Sequence, residues 1–159
     1  MNRREFNTTI VGKKYAVRDW MSPHPITVDP KTTLPEAHRL MKESHIRRLP
    51  VVEPKHGELV GIITLGDIRE ASPSDATSLS IFELNYLLAK LTVDKIMTRE
   101  PITISPNAII RDAAKLMLQH KIGGLPVVEH GKLVGIITES DIFRVLAQEP
   151  ELEPASQPH

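Results

Sequence analysis

Gly61-Ile62-Ile63-Thr64-Leu65-Gly66-Asp67 recurs as Gly135-Ile136-Ile137-Thr138-Glu139-Ser140-Asp141, an offset of 74 residues. Each copy is Gly, two apolar residues, Thr, two variable residues and Asp. The repetition extends outward from this segment. Leu59-Val60 precedes the first copy and Leu133-Val134 the second, while Ile68 and Ile142 follow. Further upstream the offset is 76. Leu49-Pro50-Val51-Val52-Glu53 matches Leu125-Pro126-Val127-Val128-Glu129, and Met21 to Pro30 matches Met97 to Pro106. The difference of two falls where Pro54-Lys55-His56-Gly57 shortens to His130-Gly131, a place where a turn absorbs length. A repeat on this scale decides the architecture before any single residue does.

Each unit has the same elements. Ile26-Thr27-Val28 is a short β-type stretch closed by Pro30. Thr32 or Thr33 can cap a helix with Pro35 and Glu36 in its first turn. Leu34, Ala37, Leu40 and Met41 recur at spacings of 3 and 4, as do Ile110, Ala113, Leu116 and Met117, one apolar helical face in each unit. Leu49–Val52 and Leu59–Thr64 are β-rich and joined by a Gly-containing turn, which predicts a hairpin. A last helix starts near Gly66 or Asp67, and its twin near Ser140 or Asp141. The order is β-α-β-β-α, twice, an α+β fold. The expected division is an N-terminal segment 1–16, a repeat 17–71, a linker 72–92, a repeat 93–147 and a disordered acidic tail 148–159. Ser72-Pro73-Ser74-Asp75 opens the linker as a turn. Ile81, Leu84, Leu87, Leu88 and Leu91 then mark an amphipathic helix. A 55-residue unit is a poor domain alone. The two units are expected to pack face to face around a pseudo-two-fold axis.

The chain has 159 residues, 20 Lys+Arg, 20 Asp+Glu and no cysteine. Disulfides, thiolate catalysis and Cys-based zinc sites are therefore excluded. No apolar run approaches the ~18 residues of a membrane span, and the N-terminus lacks a secretory apolar stretch. A cytoplasmic location is the default expectation. The zero charge hides structure: residues 1–16 carry four bases and one acid, while the tail 148–159 carries three acids. A nucleic-acid partner is not expected from a near-neutral middle. The seven His show no metal spacing, so no metal site is expected. No Ser-His-Asp arrangement, Walker loop or paired-carboxylate motif stands outside the repeats. The chain is read as no enzyme, with no catalytic cofactor.

The chemistry that remains lies at the strand-to-helix junctions. Free amides at a helix start favour anions, and the hydroxyls of Thr64 and Thr138 can bond a phosphate oxygen. Asp67 and Asp141 can take both hydroxyls of a ribose in charge-assisted bonds. Each Asp is equally a good helix cap. Gly61 and Gly135 read as structural glycines that permit close strand packing.

These residues carry a strong resemblance to a pair of cystathionine-β-synthase (CBS) domains, the tandem called a Bateman module, over roughly 17–147. Both Gly-x-x-Thr-x-x-Asp segments carry it, with Thr27-Val28-Asp29-Pro30, Thr103-Ile104-Ser105-Pro106 and the two Leu-Pro-Val-Val strands. The linker stretch Phe82-Glu83-Leu84-Asn85-Tyr86-Leu87-Leu88 resembles that of bacterial AcuB-like proteins. Pro25 and Pro101 depart from the family pattern, which often has Gly there. The resemblance implies a regulatory module binding an adenosine ligand, AMP, ADP, ATP or S-adenosylmethionine, in the cleft between the repeats. It implies Thr64 and Asp67 with Thr27 at one site, and Thr138 and Asp141 with Thr103 at the other. Thr32 and Ala108, at equivalent positions, are carried over with them. So are the residues before the Leu-Pro strands: Ile46, Arg47 and Arg48 in one copy, Ile122 and Gly123 in the other. Arg47 and Arg48 can neutralise phosphates; Gly123 and Gly124 bring no charge but allow close backbone approach. The two sites are therefore expected to differ, and the Arg pair to be able to reach across the axis. A disc-like homodimer on the apolar helix faces and an unidentified regulated protein are the expected partners. The alternative is an interaction scaffold with vestigial sites.

Overall fold

The structure, a computed structural model, describes residues 15–72 and 80–148. The expectations for the basic head and the disordered tail fall almost wholly outside them.

The first repeat opens with α1 (Val17–Trp20) and the two-residue β1 (Ser22–Pro23), followed by α2 (Leu34–Ser44). The Thr33 hydroxyl caps α2, accepting from the Glu36 N–H at 3.3 Å. The hairpin β2 (Arg48–Val52) and β3 (Leu59–Thr64) follows, then α3 (Leu65–Ala71). The linker contains α4 (Ile81–Lys90), closed at its start by a Ser80/Glu83 capping box. The second repeat then runs through α5 (Val93–Ile96), β4 (Thr98–Arg99), α6 (Ile110–His120), β5 (Gly124–Glu129), β6 (Lys132–Thr138) and α7 (Glu139–Gln148). The two hairpins match in register, Leu49 facing Ile63 and Leu125 facing Ile137. His130 and Gly131 both have positive φ, 51° and 76°, as a two-residue hairpin turn requires.

The opening strand differs from the sequence-based expectation. Val28 forms only an isolated parallel bridge to Val51, and Ile104 its twin to Val127. The strands that complete the sheets lie earlier, and they cross over. β1 pairs with β6 of the second repeat, and β4 with β3 of the first, giving sheets β1-β6-β5 and β2-β3-β4. The short helices cross with them. Val17 is fully buried in the second repeat's core beside Ile110, Leu125 and Ile137, and Val93 in the first beside Leu34, Leu49 and Ile63. The backbone bonds repeat the exchange: Val17 N–H donates to Ala108 O, and Val93 N–H to Thr32 O, both at 2.8 Å.

The two motif glycines are where this crossing is tightest. A Cβ on Gly61 would lie 2.9 Å from Thr98 O and 2.5 Å from Met97 Sδ. One on Gly135 would lie 3.0 Å from Ser22 O and against Met21 Sδ. The glycines admit a strand and a methionine of the opposite repeat. Equivalent positions meet on the pseudo-two-fold axis, where Glu58 bridges Lys132.

Candidate functional site

Because β1 and β4 change sheets, the segments that follow them are delivered to the opposite repeat's strand-to-helix junction. Two cavities result. The first, about 590 Å3, has Thr64, Leu65 and Asp67 on one side and Pro101, Ile102 and Ile122 on the other. The second, about 790 Å3, has Thr138, Glu139 and Asp141 facing Pro25, Ile26 and Ile46. Both volumes lie within the range of small-molecule sites. Arg47, Arg48 and Gly123 line both cavities and so stand between them.

The structure thus pairs the elements the other way from the sequence expectation. The junction of Thr64 and Asp67 meets Ile102, not Thr27, and that of Thr138 and Asp141 meets Ile26, not Thr103. Thr27, Thr32, Thr103 and Ala108 line neither cavity. Thr27 and Thr103 are exposed next to residues that do. The Thr32 hydroxyl accepts from the Asp29 N–H at 3.1 Å within a turn. Ala108 accepts the Val17 N–H through its backbone. The crossover could not be read from spacing, since a two-residue strand leaves no periodic signal.

The first junction is a capping box. Asp67 Oδ2 accepts the Thr64 N–H at 2.8 Å, and Thr64 Oγ1 accepts the Asp67 N–H at 3.1 Å. Asp67 Oδ1 has no protein partner among the described residues. Asp141 Oδ2 likewise accepts the Thr138 N–H at 2.8 Å. Asp141, however, is buried, and its Oδ1 is held by Arg144 Nη2. Arg144 also reaches Trp20 O at 3.4 Å. The first carboxylate keeps an oxygen for a ligand; the second is committed to protein partners. At the start of α3, a helix of seven residues, the cap takes the Asp67 N–H and Arg47 O takes the Leu65 N–H.

Arg48 crosses the axis. Its Nη1 donates to Gly123 O at 2.9 Å. A Cβ on Gly123 would lie 2.8 Å from Arg48 Nη2, and one on Gly124 2.7 Å from Arg48 Cδ. The two glycines make room for Arg48, and both also line the first cavity. Position 48 is equivalent to 124, so a large residue and the smallest one face each other where the repeats meet. Burial lowers the Arg48 guanidinium pKa; Glu139 opposes this and Arg47 adds to it. Among the described residues no group of three or more His, Asp or Glu could hold a metal ion. No helix there is long and apolar enough to cross a membrane.

The family model for the CBS domain matches residues 17–74 and 93–148. The chain is 37% identical over 134 residues to a CBS domain-containing protein of Dictyostelium discoideum, covering 84% of this chain and 92% of that protein. It is 39% identical to an inosine-5'-monophosphate dehydrogenase of Korarchaeum cryptofilum, but spans only 21% of that enzyme and 74% of itself. Among solved structures, a putative acetoin utilization protein (AcuB) from Vibrio cholerae superposes with a TM-score of 0.71 at 32% identity, covering 92% of this chain and all of that one. CBSX2 in complex with AMP gives 0.69 at 32% identity, with 85% and 98% covered. The CBS domain pair of protein MJ0100, in complex with 5'-methylthioadenosine and S-adenosyl-L-methionine, gives 0.68 at 33%, with 83% and 95% covered.

Proposed function

Because the chain belongs to the CBS domain family, as a tandem pair, we propose that it is a regulatory module that binds an adenosine-containing ligand in the cleft between its repeats. The observation that carries this is the pair of cavities, each closed by a Thr-x-x-Asp junction of one repeat and a Pro-Ile segment of the other. A ligand in either cavity touches both repeats and favours one arrangement of them. Output is then a population shift that a partner protein reads. Pro-Ile and Ile122 or Ile46 supply apolar walls for a base, and the Thr-x-x-Asp junction supplies polar groups for ribose and phosphate. Thr27 and Thr103, on the exposed rim, come within the ligand's reach only if the segments carrying them close over it. The inosine-5'-monophosphate dehydrogenase is matched over only a fifth of its length, and the chain acts by binding, without turnover, in the cytoplasm and as a homodimer. Exposed Leu118, Phe143 and Leu146 on α6 and α7 supply an apolar face for that dimer.

The test is calorimetry of the intact protein against AMP, ADP, ATP and S-adenosylmethionine. At least one is expected to bind more tightly than about 1 mM, roughly −4 kcal/mol. No binding by any of them, with an intact dimer, would favour the scaffold reading.

A further inference from the structure

The two cavities are built alike but charged differently. Arg47 and Arg48 are common to both. The first adds Arg69 and Lys121, and Asp67 is its only carboxylate among the described residues. The second has His45 at the position equivalent to Lys121, and adds Glu139, Asp141 and Arg144. There the charges cancel locally: Arg144 pairs with Asp141, and Glu139 faces Arg48. In the first cavity Arg48 keeps Glu139 beside it, but the other cations have no such partner. The side chains of Arg47, Arg69 and Lys121 form no ion pair among the described residues. Four cations gathered around one carboxylate repel one another and raise the local concentration of anions.

We infer that the first cavity is the phosphate-binding one of the two, with Arg69 and Lys121 as its specificity-determining residues, and that it takes a nucleoside di- or triphosphate. The free Asp67 Oδ1 lies in the same cavity, so a ribose on one side and phosphates on the other fit one ligand. Arg69 and Lys121 reach the cavity from opposite repeats, so a polyphosphate tail also clamps the two repeats together. The nucleoside part of this inference rests on the adenosyl-ligand reading; the phosphate part rests on charge alone.

Calorimetry at low ionic strength with adenosine, ADP, S-adenosylmethionine and inorganic pyrophosphate separates the two. ADP is expected to bind about tenfold or more tighter than adenosine, with the gap narrowing as salt is added. The double variant Arg69→Ala, Lys121→His alters exposed side chains only. It should weaken ADP about tenfold and leave adenosine within about twofold, whereas Lys115→Ala, an exposed cation that lines neither cavity, should leave ADP unchanged. Adenosine binding as tightly as ADP, or ADP affinity unchanged in the double variant, overturns the inference while the adenosyl reading stands. Pyrophosphate binding that depends on Arg69 and Lys121, with adenosine, ADP and S-adenosylmethionine all inert, supports the anion site and ends the adenosyl reading. No binding of any of the four ends both.

Discussion

Asp67 does two jobs with two oxygens. Oδ2 closes the capping box of α3, and Oδ1 is left for a ligand. The jobs separate by substitution. Asp67→Ala should lose the cap, about 0.5–2 kcal/mol in urea unfolding, as well as ligand affinity. Asp67→Asn keeps an acceptor for the Thr64 N–H, so it should lose affinity with little change in unfolding. Equal stability losses in the two would show that the carboxylate charge, rather than the hydrogen bond, holds the helix start. Gly61→Ala should cost about 1–3 kcal/mol by overpacking, because Thr98 O is backbone and cannot step aside. Thr64, Asp67 and their twins were legible in the sequence because type and spacing alone mark a strand-to-helix junction. The partners of Gly61, Gly123 and Gly124 were not, since each is touched by a residue from the other repeat.

At the scale of elements, helices and hairpins follow from apolar periodicity and turn residues. The strands β1 and β4 do not, because two residues carry no pattern and only the crossing gives them partners. The exchange means that a fragment of residues 93–148 lacks Val17 in its core and β1 on its sheet. It should fail to give a cooperative unfolding transition by circular dichroism, whereas residues 15–148 should give one. Acid tests the α5 end of the exchange. The Thr92 hydroxyl and then Lys31 hold the Asp94 carboxyl down at about 2, and Lys31 Nζ lies 2.9 Å from it across the repeat boundary. A depressed carboxylate stabilises fully above its ordinary pKa of ~3.9 and loses that contribution as pH falls through about 2. Carbon-detected NMR titration should place the Asp94 midpoint well below the ordinary carboxylate range, and Asp94→Asn should remove this part of the acid dependence. A midpoint near 4 would mean that the tether is absent in solution.

For the whole molecule, two repeats of one fold diverge at the surface and at the axis. The exposed Leu118, Phe143 and Leu146 of the second repeat stand where the first has Lys42, Arg69 and Ser72. If the homodimer forms, it should therefore centre on α6 and α7. Phe143→Asp should shift sedimentation towards monomer while Arg69→Asp should not. The same divergence separates the cavities, since Arg69 and Lys121 serve only the first. The total charge of zero conceals this, as opposite surpluses cancel along the chain. The most direct test of a ligand cleft between the repeats is an NMR titration of the intact protein with ADP, following backbone amides. The predicted result is saturable shifts in both repeats at once, at Gly66 and Asp67 in the first and at Lys121 to Gly124 in the second. Shifts confined to one repeat, or none at millimolar ADP, would contradict it.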